Sequence, residues 1–313
     1  MAEAFVEAPA PASALVVGES LVDVVVGADG SVREYPGGSP ANVAVALARL
    51  GGDVALATAY AADRLGGLLD AHLAAAGVRL VGVPHVLART STAKAVIGGD
   101  GAATYDFDVA WDLPTPQPDR IPALVHTGSL AAVLEPGAGV VLDLVLRLAQ
   151  VATVSVDVNA RPAATGAGPA QRRRIERLVA VADLVQASDE DLAAYWPELS
   201  LEAAAAHLLD LGAGAVAVTR GDGGALCRTP AGVVEVPATP VSVVDTIGAG
   251  DSFCAALLDG LRLRGLLGAD VRPRLRALSL DDWRDVVARA NRAAAITVSR
   301  AGPNPPTAAE ISG

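Results

Sequence analysis

The residues best suited to chemistry lie in one short run, Val243-Val244-Asp245-Thr246-Ile247-Gly248-Ala249-Gly250-Asp251-Ser252-Phe253. A β-like stretch leads in, glycines occupy the turn, and helical spacing from Ala249 to Arg264 leads out. Backbone N–H groups converge at such a helix N-terminus, where the dipole also favours negative charge, so the turn suits an anion such as a phosphate. Asp251 falls in the first helical turn beside it. It has two readings: a side chain that complements the dipole, or a base facing a hydroxyl that attacks a phosphate. The helix end is expected to keep its pKa low. Phosphoryl transfer tolerates a weak base, because positioning and charge stabilisation supply most of the catalysis.

A second run, Gly37-Gly38-Ser39-Pro40-Ala41-Asn42-Val43-Ala44, opens another helix. Ser39 suits the N-cap, Pro40 suits N1, and Gly51 ends the helix after Leu50. Capping explains neither Gly37-Gly38, which lets a ligand approach the backbone, nor the polar Asn42 in an Ala/Val-rich turn. Asp23 follows the first strand, where a carboxylate can accept hydrogen bonds from two vicinal hydroxyls. Tyr105 and Phe107 alternate on a hairpin and either cap a substrate or pack on their own sheet. Lys94 on that hairpin, the sole lysine, is expected at the solvated surface.

These residues need a scaffold, and the chain supplies an alternating one. Strand candidates are Leu15–Val17, Val54–Thr58, Leu124–Thr127, Val154–Val158, Leu184–Gln186, Ala215–Thr219 and Val241–Val244. Helical spacing falls between most of them, over Pro40–Leu50, Leu65–Ala76, Val140–Ala149, Gln171–Ala180, Leu201–Leu211 and Ala249–Arg264. Strands apolar on both faces, alternating with helices, predict an α/β fold: three αβα layers around a mostly parallel sheet. Two stretches break the rhythm, Val22–Tyr35 around Gly27-Ala28-Asp29-Gly30 and Ala93–Phe107 around Gly98-Gly99-Asp100-Gly101. Both read as hairpins, which together make a small β-sheet lid over about 22–36 and 92–110. Residues 1–13 read as a ragged or disordered tail without a signal peptide, and 14–313 as a single domain.

Composition excludes several classes. Apolar residues make up 52% of the chain, enough for a large core, and only 3% are aromatic, so that core is aliphatic. A formal net charge of -11 and the absence of a basic stripe argue against nucleic acid. The cluster Arg172, Arg173, Arg174 and Arg177 reads as one solvated helix face. No apolar run reaches the roughly 18 residues of a membrane span, and a cytoplasmic location is expected. Cys227 and Cys254 read as buried free thiols. Four scattered histidines offer no zinc spacing. Lys94 is followed by Ala95, which excludes a P-loop. Gly212-Ala213-Gly214 follows a helix and enters a strand, the wrong order for a dinucleotide turn.

Taken with its partner motif, the Asp245-Thr246-x-Gly248-Ala249-Gly250-Asp251-Ser252-Phe253 run resembles the C-terminal signature of the ribokinase-like, or PfkB, carbohydrate kinases. Gly37-Gly38-Ser39-Pro40-Ala41-Asn42-Val43-Ala44 resembles their N-terminal signature, in the right order and over nearly the whole chain. The resemblance implies that Asp251 is the catalytic base and that the backbone at Gly248, Ala249 and Gly250 forms an anion hole. It places Gly37, Gly38, Asn42 and Asp23 against the sugar. Asp157-Val158-Asn159-Ala160-Arg161-Pro162 is similar to a family segment in which Arg161 meets phosphate oxygens, a structural salt bridge being the other reading. Thr219-Arg220-Gly221-Asp222-Gly223-Gly224 resembles a loop near the ATP phosphates, carrying Thr219, Gly221 and Gly224, and reads equally as a hairpin turn. Thr246 and Asn291 match nucleotide-side positions, Asn291 one that lines the adenine pocket.

The resemblance implies ATP and Mg²⁺ as cofactors, a sugar as substrate and a homodimer in which lids clasp. Two departures stand out. Ser188-Asp189-Glu190-Asp191 replaces Asn-x-x-Glu, so the metal ligands are not assigned; Ser188 with acids behind it is also a good N-cap. Asn304-Pro305-Pro306 stands where relatives end a monovalent-cation loop in Ser, leaving K⁺ open. Gly-Gly-Ser-Pro-Ala-Asn is closer to fructokinases than to ribokinases. The expected activity is therefore ATP-dependent phosphorylation of fructose, with 2-keto-3-deoxygluconate, ribose or a nucleoside as alternatives, and a non-catalytic sugar-binding protein as the alternative of another class.

Overall fold

The computed structural model describes residues 13–97 and 103–312, without the side chains of residues 97 and 103–105. Most of the expected tail and the 98–101 turn thus lie outside the described residues. Ser13 is already part of the first strand.

The strands are β1 Ser13–Val17, β2 Leu21–Val26, β3 Val32–Gly37, β4 Asp53–Ala57, β5 Arg79–Leu80, β6 Thr92–Ile97, β7 Ala103–Asp108, β8 Leu124–Gly128, β9 Thr153–Asp157, β10 Leu184–Ser188, β11 Val216–Thr219, β12 Ala225–Thr229 and β13 Gly232–Val236. The helices are α1 Ser39–Arg49, α2 Arg64–Ala75, α3 Gly137–Leu148, α4 Pro162–Thr165, α5 Pro169–Val179, α6 Asp189–Tyr195, α7 Leu201–Asp210, α8 Ala249–Leu263, α9 Arg272–Arg276, α10 Leu280–Val298 and α11 Ala308–Ser312. None is long and apolar enough to cross a membrane.

Nine strands form one sheet in the order β13-β12-β11-β10-β9-β8-β1-β4-β5, parallel from β5 to β11 with β12 and β13 antiparallel at one edge. Alternation within each strand feeds two cores. Val16, Val54 and Leu56 pack with α1, α8 and α10 on one face. Leu15, Val17, Ala55 and Ala57 pack with α3, α5 and α7 on the other. That two-sided burial is why the strands read as continuous apolar runs. Emptying one such site, for example Leu56→Ala, costs about 2–5 kcal/mol.

Gly51 ends α1 as expected. Its φ is +87°, its N–H bonds Ala48 O at 2.9 Å and the Gly52 N–H bonds Leu47 O at 2.9 Å, the paired bonds of a Schellman stop. The expected strand Val241–Val244 does not form. This segment joins no sheet, and Val243 and Val244 are 64% and 63% exposed. Its backbone turns to the end of α10 instead: the Val244 and Asp245 N–H groups donate to Val298 O at 2.7 and 3.2 Å.

The four lid strands pair in the order β3-β2-β6-β7. β2–β3 and β6–β7 are antiparallel hairpins, joined by parallel β2–β6 pairing. Within the first turn, Gly30 N–H bonds Gly27 O and Gly27 N–H bonds Ser31 O. β2 starts four residues after β1 and β3 runs directly into α1, so the lid is tied to the C-terminal end of β1. On the other side α8 is locked to α10 through Asp259, whose Oδ1 pairs with Arg262 at 2.7 Å and Oδ2 with Arg289 at 2.6 Å.

Candidate active site

Gly248 caps α8 with φ +76°, and a Cβ there would meet Pro303 Cβ at 2.9 Å, so only glycine makes this turn without strain. The loop before it is clamped by Asp245: Oδ1 accepts the Ile247 N–H at 3.0 Å and Oδ2 the Gly302 N–H at 2.9 Å. The first turn of a helix leaves N–H groups without intrahelical acceptors. Gly248, Ala249 and Gly250 border a cavity of about 820 Å³.

Asp251 faces that cavity and is held at both oxygens. Ser39 Oγ donates to Oδ1 at 2.6 Å and Asn42 Nδ2 donates to Oδ2 at 2.8 Å. Ser39 is therefore not the N-cap: Gly38 takes that position with φ +96°, and no side chain caps the helix. The serine hydroxyl reaches a carboxylate 212 residues away instead. Two helix N-termini, α1 and α8, thus meet around one carboxylate.

The expectation of a low Asp251 pKa is also corrected. Burial pushes it up, outweighing the Ser39 and Asn42 bonds and the Arg161 charge that pull it down. Asp251 is a better base than its helix position alone implies.

On the lid side, Asp23, Gly38, Asn42 and Phe107 border the cavity. Burial, then the Asp251 charge, pushes the Asp23 carboxyl up to about 7. Gly37 stands beside it, where a Cβ would sit 2.2 Å from Asp23 Oδ2. Tyr105 belongs to β7, and its side chain lies outside the described residues. At the other end, Thr219 and Thr246 border the cavity, and Arg161 stands exposed at its rim with Nη1 on Ala160 O at 2.8 Å. Gly221 and Gly224 shape the β11–β12 turn, Gly224 with φ +82° and its Cα packed on β13. Asn291 Nδ2 donates to Val236 O and Pro237 O at 3.2 and 2.9 Å, tying α10 to the end of β13.

Several cavity residues were not legible as site residues in the sequence. Glu19 and Ser129 stand at the ends of β1 and β8, and burial pushes the Glu19 carboxyl up to about 7 despite bonds from Ser129 and Ala131. Asp157 and Gln186 are register neighbours on β9 and β10. Their Oδ1 and Oε1 are buried without a hydrogen-bond partner among the described residues. Two bare oxygens beside the N-terminus of α8 fit a hard cation, which takes oxygen ligands. Asp191 is committed elsewhere: Oδ1 accepts the Ala160 N–H and Oδ2 the Ser188 N–H, both at 2.7 Å, and Ser188 Oγ accepts the Asp191 N–H in return. Glu19, Ser129 and Asp157 share one sequence signal, a polar side chain at or just past the C-terminal end of a buried strand; Gln186 lies in the middle of β10 and Asp191 within α6.

A family model described as pfkB family carbohydrate kinase matches residues 12–310. A fructokinase of Rhizobium leguminosarum bv. trifolii is 35% identical over 267 residues, 81% of either chain. The crystal structure of a Xylella fastidiosa fructokinase with bound ATP superposes with a TM-score of 0.83 at 25% identity, covering 96% of this chain and 97% of that one. A Vibrio cholerae O395 fructokinase double mutant bound to fructose, ADP and potassium gives 0.79 at 26% identity over 95% of each chain. With the paired glycine motifs, the lid and the carboxylate at the mouth of α8, these likenesses establish that the chain belongs to the pfkB family of carbohydrate kinases.

Proposed function

We propose that the enzyme transfers the γ-phosphoryl group of ATP to a hydroxyl of a neutral sugar, fructose before others, with Asp251 as the base. The observation that carries this reading is the position of Asp251: buried, bonded on both oxygens and next to the α8 N-terminus. A hydroxyl entering from the lid side displaces one of those donors and gives its proton to Asp251 as its oxygen attacks phosphorus in line. The Gly248–Gly250 backbone and Arg161 take the charge that builds on the transferring group. A divalent cation, Mg²⁺ in our reading, would be held by Asp157 and Gln186. Its chemistry there is to shield phosphate oxygens from the cavity's own carboxylates.

Charge supports a neutral acceptor. Glu19, Asp23, Asp157, Asp191 and Asp251 all border the cavity, and Arg161 is the one basic residue among its described lining. A sugar acid would bring a further carboxylate against Glu19 and Asp23, a repulsive element that selects against it. This places fructose ahead of 2-keto-3-deoxygluconate. The test is ADP release across fructose, ribose, 2-keto-3-deoxygluconate and a nucleoside, with Mg²⁺ present. Fructose should give the highest kcat/KM. ADP release at background with every acceptor, alongside calorimetric sugar binding, would overturn the catalytic reading in favour of a binding protein.

The Ser39 bond gives a signed pH prediction. Its hydroxyl stabilises ionised Asp251, so Ser39→Ala raises the pKa of the base further. Activity then falls away at a higher pH as the solution is acidified, whereas Ser39→Thr, which keeps the hydroxyl, restores the profile. A Ser39→Ala enzyme whose acid limb coincides with the wild type would show that this bond does not reach the working base.

A further inference from the structure

The strand order reverses between β1 and β8. The chain leaves β1 for β4 and β5 on one side and returns through β8 to β13 on the other. In open α/β sheets, ligands bind in the crevice that such a reversal opens at the carboxyl ends of the strands. Two polar side chains that phosphoryl transfer does not use face the cavity there. Glu19 lies two residues past β1 and is 2% exposed; Ser129 directly follows β8 and is 5% exposed.

Their arrangement is specific. Glu19 Oε2 accepts the Ala131 N–H at 2.9 Å, and the Ser129 hydroxyl acts as a donor to the same carboxylate. Ser129 has φ +55°, a backbone region that L-residues with a side chain rarely occupy. The preceding Gly128 is pressed against β9, where a Cβ would sit 2.1 Å from Asp157 O. The chain therefore turns a sharp corner at Ser129. Glycine would turn that corner with less strain, and the corner by itself has no use for a hydroxyl.

We propose that the Ser129 hydroxyl, oriented by Glu19, binds a sugar hydroxyl other than the one phosphorylated and so sets which sugars the enzyme accepts. With its proton committed to Glu19, the serine oxygen presents lone pairs to the cavity. It accepts from a hydroxyl donor and has nothing to offer a deoxy position or a carboxylate. A site built to hydrogen-bond a hydroxyl discriminates against analogues that lack it. This assignment rests on the sugar-kinase reading above and extends it to one wall of the acceptor subsite.

The experiment compares wild type, Ser129→Gly and Glu19→Gln on fructose and on each of its monodeoxy analogues, with KM for ATP and the melting temperature measured in parallel. Ser129→Gly suits the φ +55° corner, so it keeps or raises Tm. It is expected to raise KM for fructose about tenfold, the effect of one lost hydrogen bond, with kcat reduced less and KM for ATP unchanged. For one monodeoxy analogue, wild type and Ser129→Gly should coincide, which identifies the hydroxyl that Ser129 binds. Glu19→Gln keeps an acceptor for Ala131 and should move the same analogue pattern in the same direction. Equal losses on every sugar and on ATP would assign Ser129 a structural role and overturn the proposal. So would KM values matching the wild type on every analogue, provided the wild type turns over fructose. A wild type that turns over no sugar overturns both readings.

Discussion

Asp251→Asn is expected to lower kcat by about 10²–10⁴-fold, the range for loss of a positioned general base, without loss of the fold. The substitution keeps the size of the side chain and one oxygen to accept the 2.6 Å bond from Ser39. The new amide faces Asn42, which can turn its own amide to offer an oxygen. Stability should move opposite to activity. Burial raises the pKa of Asp251 in the folded protein above its unfolded value, so the unfolded chain binds fewer protons between the two values. Stability contributed by this group falls as pH rises through that window and stays lost above it. At neutral pH the neutral asparagine escapes that penalty, and the variant should melt at or above the wild-type temperature. Stopped turnover with an unchanged or raised Tm, and with sugar binding retained by calorimetry, is the expected set. Near-normal kcat would remove Asp251 from the mechanism, and a collapsed Tm would make the activity loss uninformative about catalysis.

The same residue shows what sequence can and cannot deliver. That Asp251 opens a helix behind a glycine turn is a local fact, carried by Gly248, Gly250 and the spacing to Phe253. Its protonation behaviour is not local. α1 packs over it through Ser39 and Asn42, about 210 positions earlier in the chain. Helix-end reasoning alone therefore gives the wrong sign. Ser39 makes the same point. A serine at the start of a helix satisfies the N-cap rule so well that its long-range bond is invisible, and Gly38 takes the cap.

The fold class was legible because two-sided burial forces β1, β4, β8, β9, β10 and β11 into unbroken apolar runs separated by helical spacing. What stayed hidden was the partner a β-branched run takes. Val241–Val244 has the composition of a strand, yet its end bonds α10 through Val244 N–H and Val298 O rather than a sheet edge. Glu19, Ser129, Asp157 and Gln186 were hidden for a related reason. Glu19, Ser129 and Asp157 are ordinary polar residues at or just past the end of a strand and Gln186 is one within a strand, and only the adjacency of β8, β1, β9 and β10 turns four unrelated positions into one cavity wall. The φ of Ser129 carries no composition signal, because serine, unlike glycine, does not announce a left-handed corner.

A pair of glycine variants separates the phosphate cradle from the mere start of a helix. Gly250→Ala places a methyl whose nearest described neighbour is Gln186 Nε2 at 3.8 Å, an ordinary contact. In the first turn of α8, alanine is also the better helix former by up to about 1 kcal/mol. Nothing in the protein objects to that methyl, so Tm should hold or rise. A phosphate would object, because Gly250 borders the cavity and the added carbon intrudes where backbone donors meet the transferring group. The expected result is a fall in kcat/KM for ATP of about 10²-fold or more, comparable with losing one donor of an anion hole. Gly248→Ala should differ in kind. Its φ of +76° and the 2.9 Å approach to Pro303 mean that alanine strains the backbone by about 1–2 kcal/mol and shifts the loop, so Tm and activity fall together. If Gly250→Ala kept wild-type kcat/KM, the transferring phosphate would not lie against this turn, and Asp251 would have no electrophile within reach.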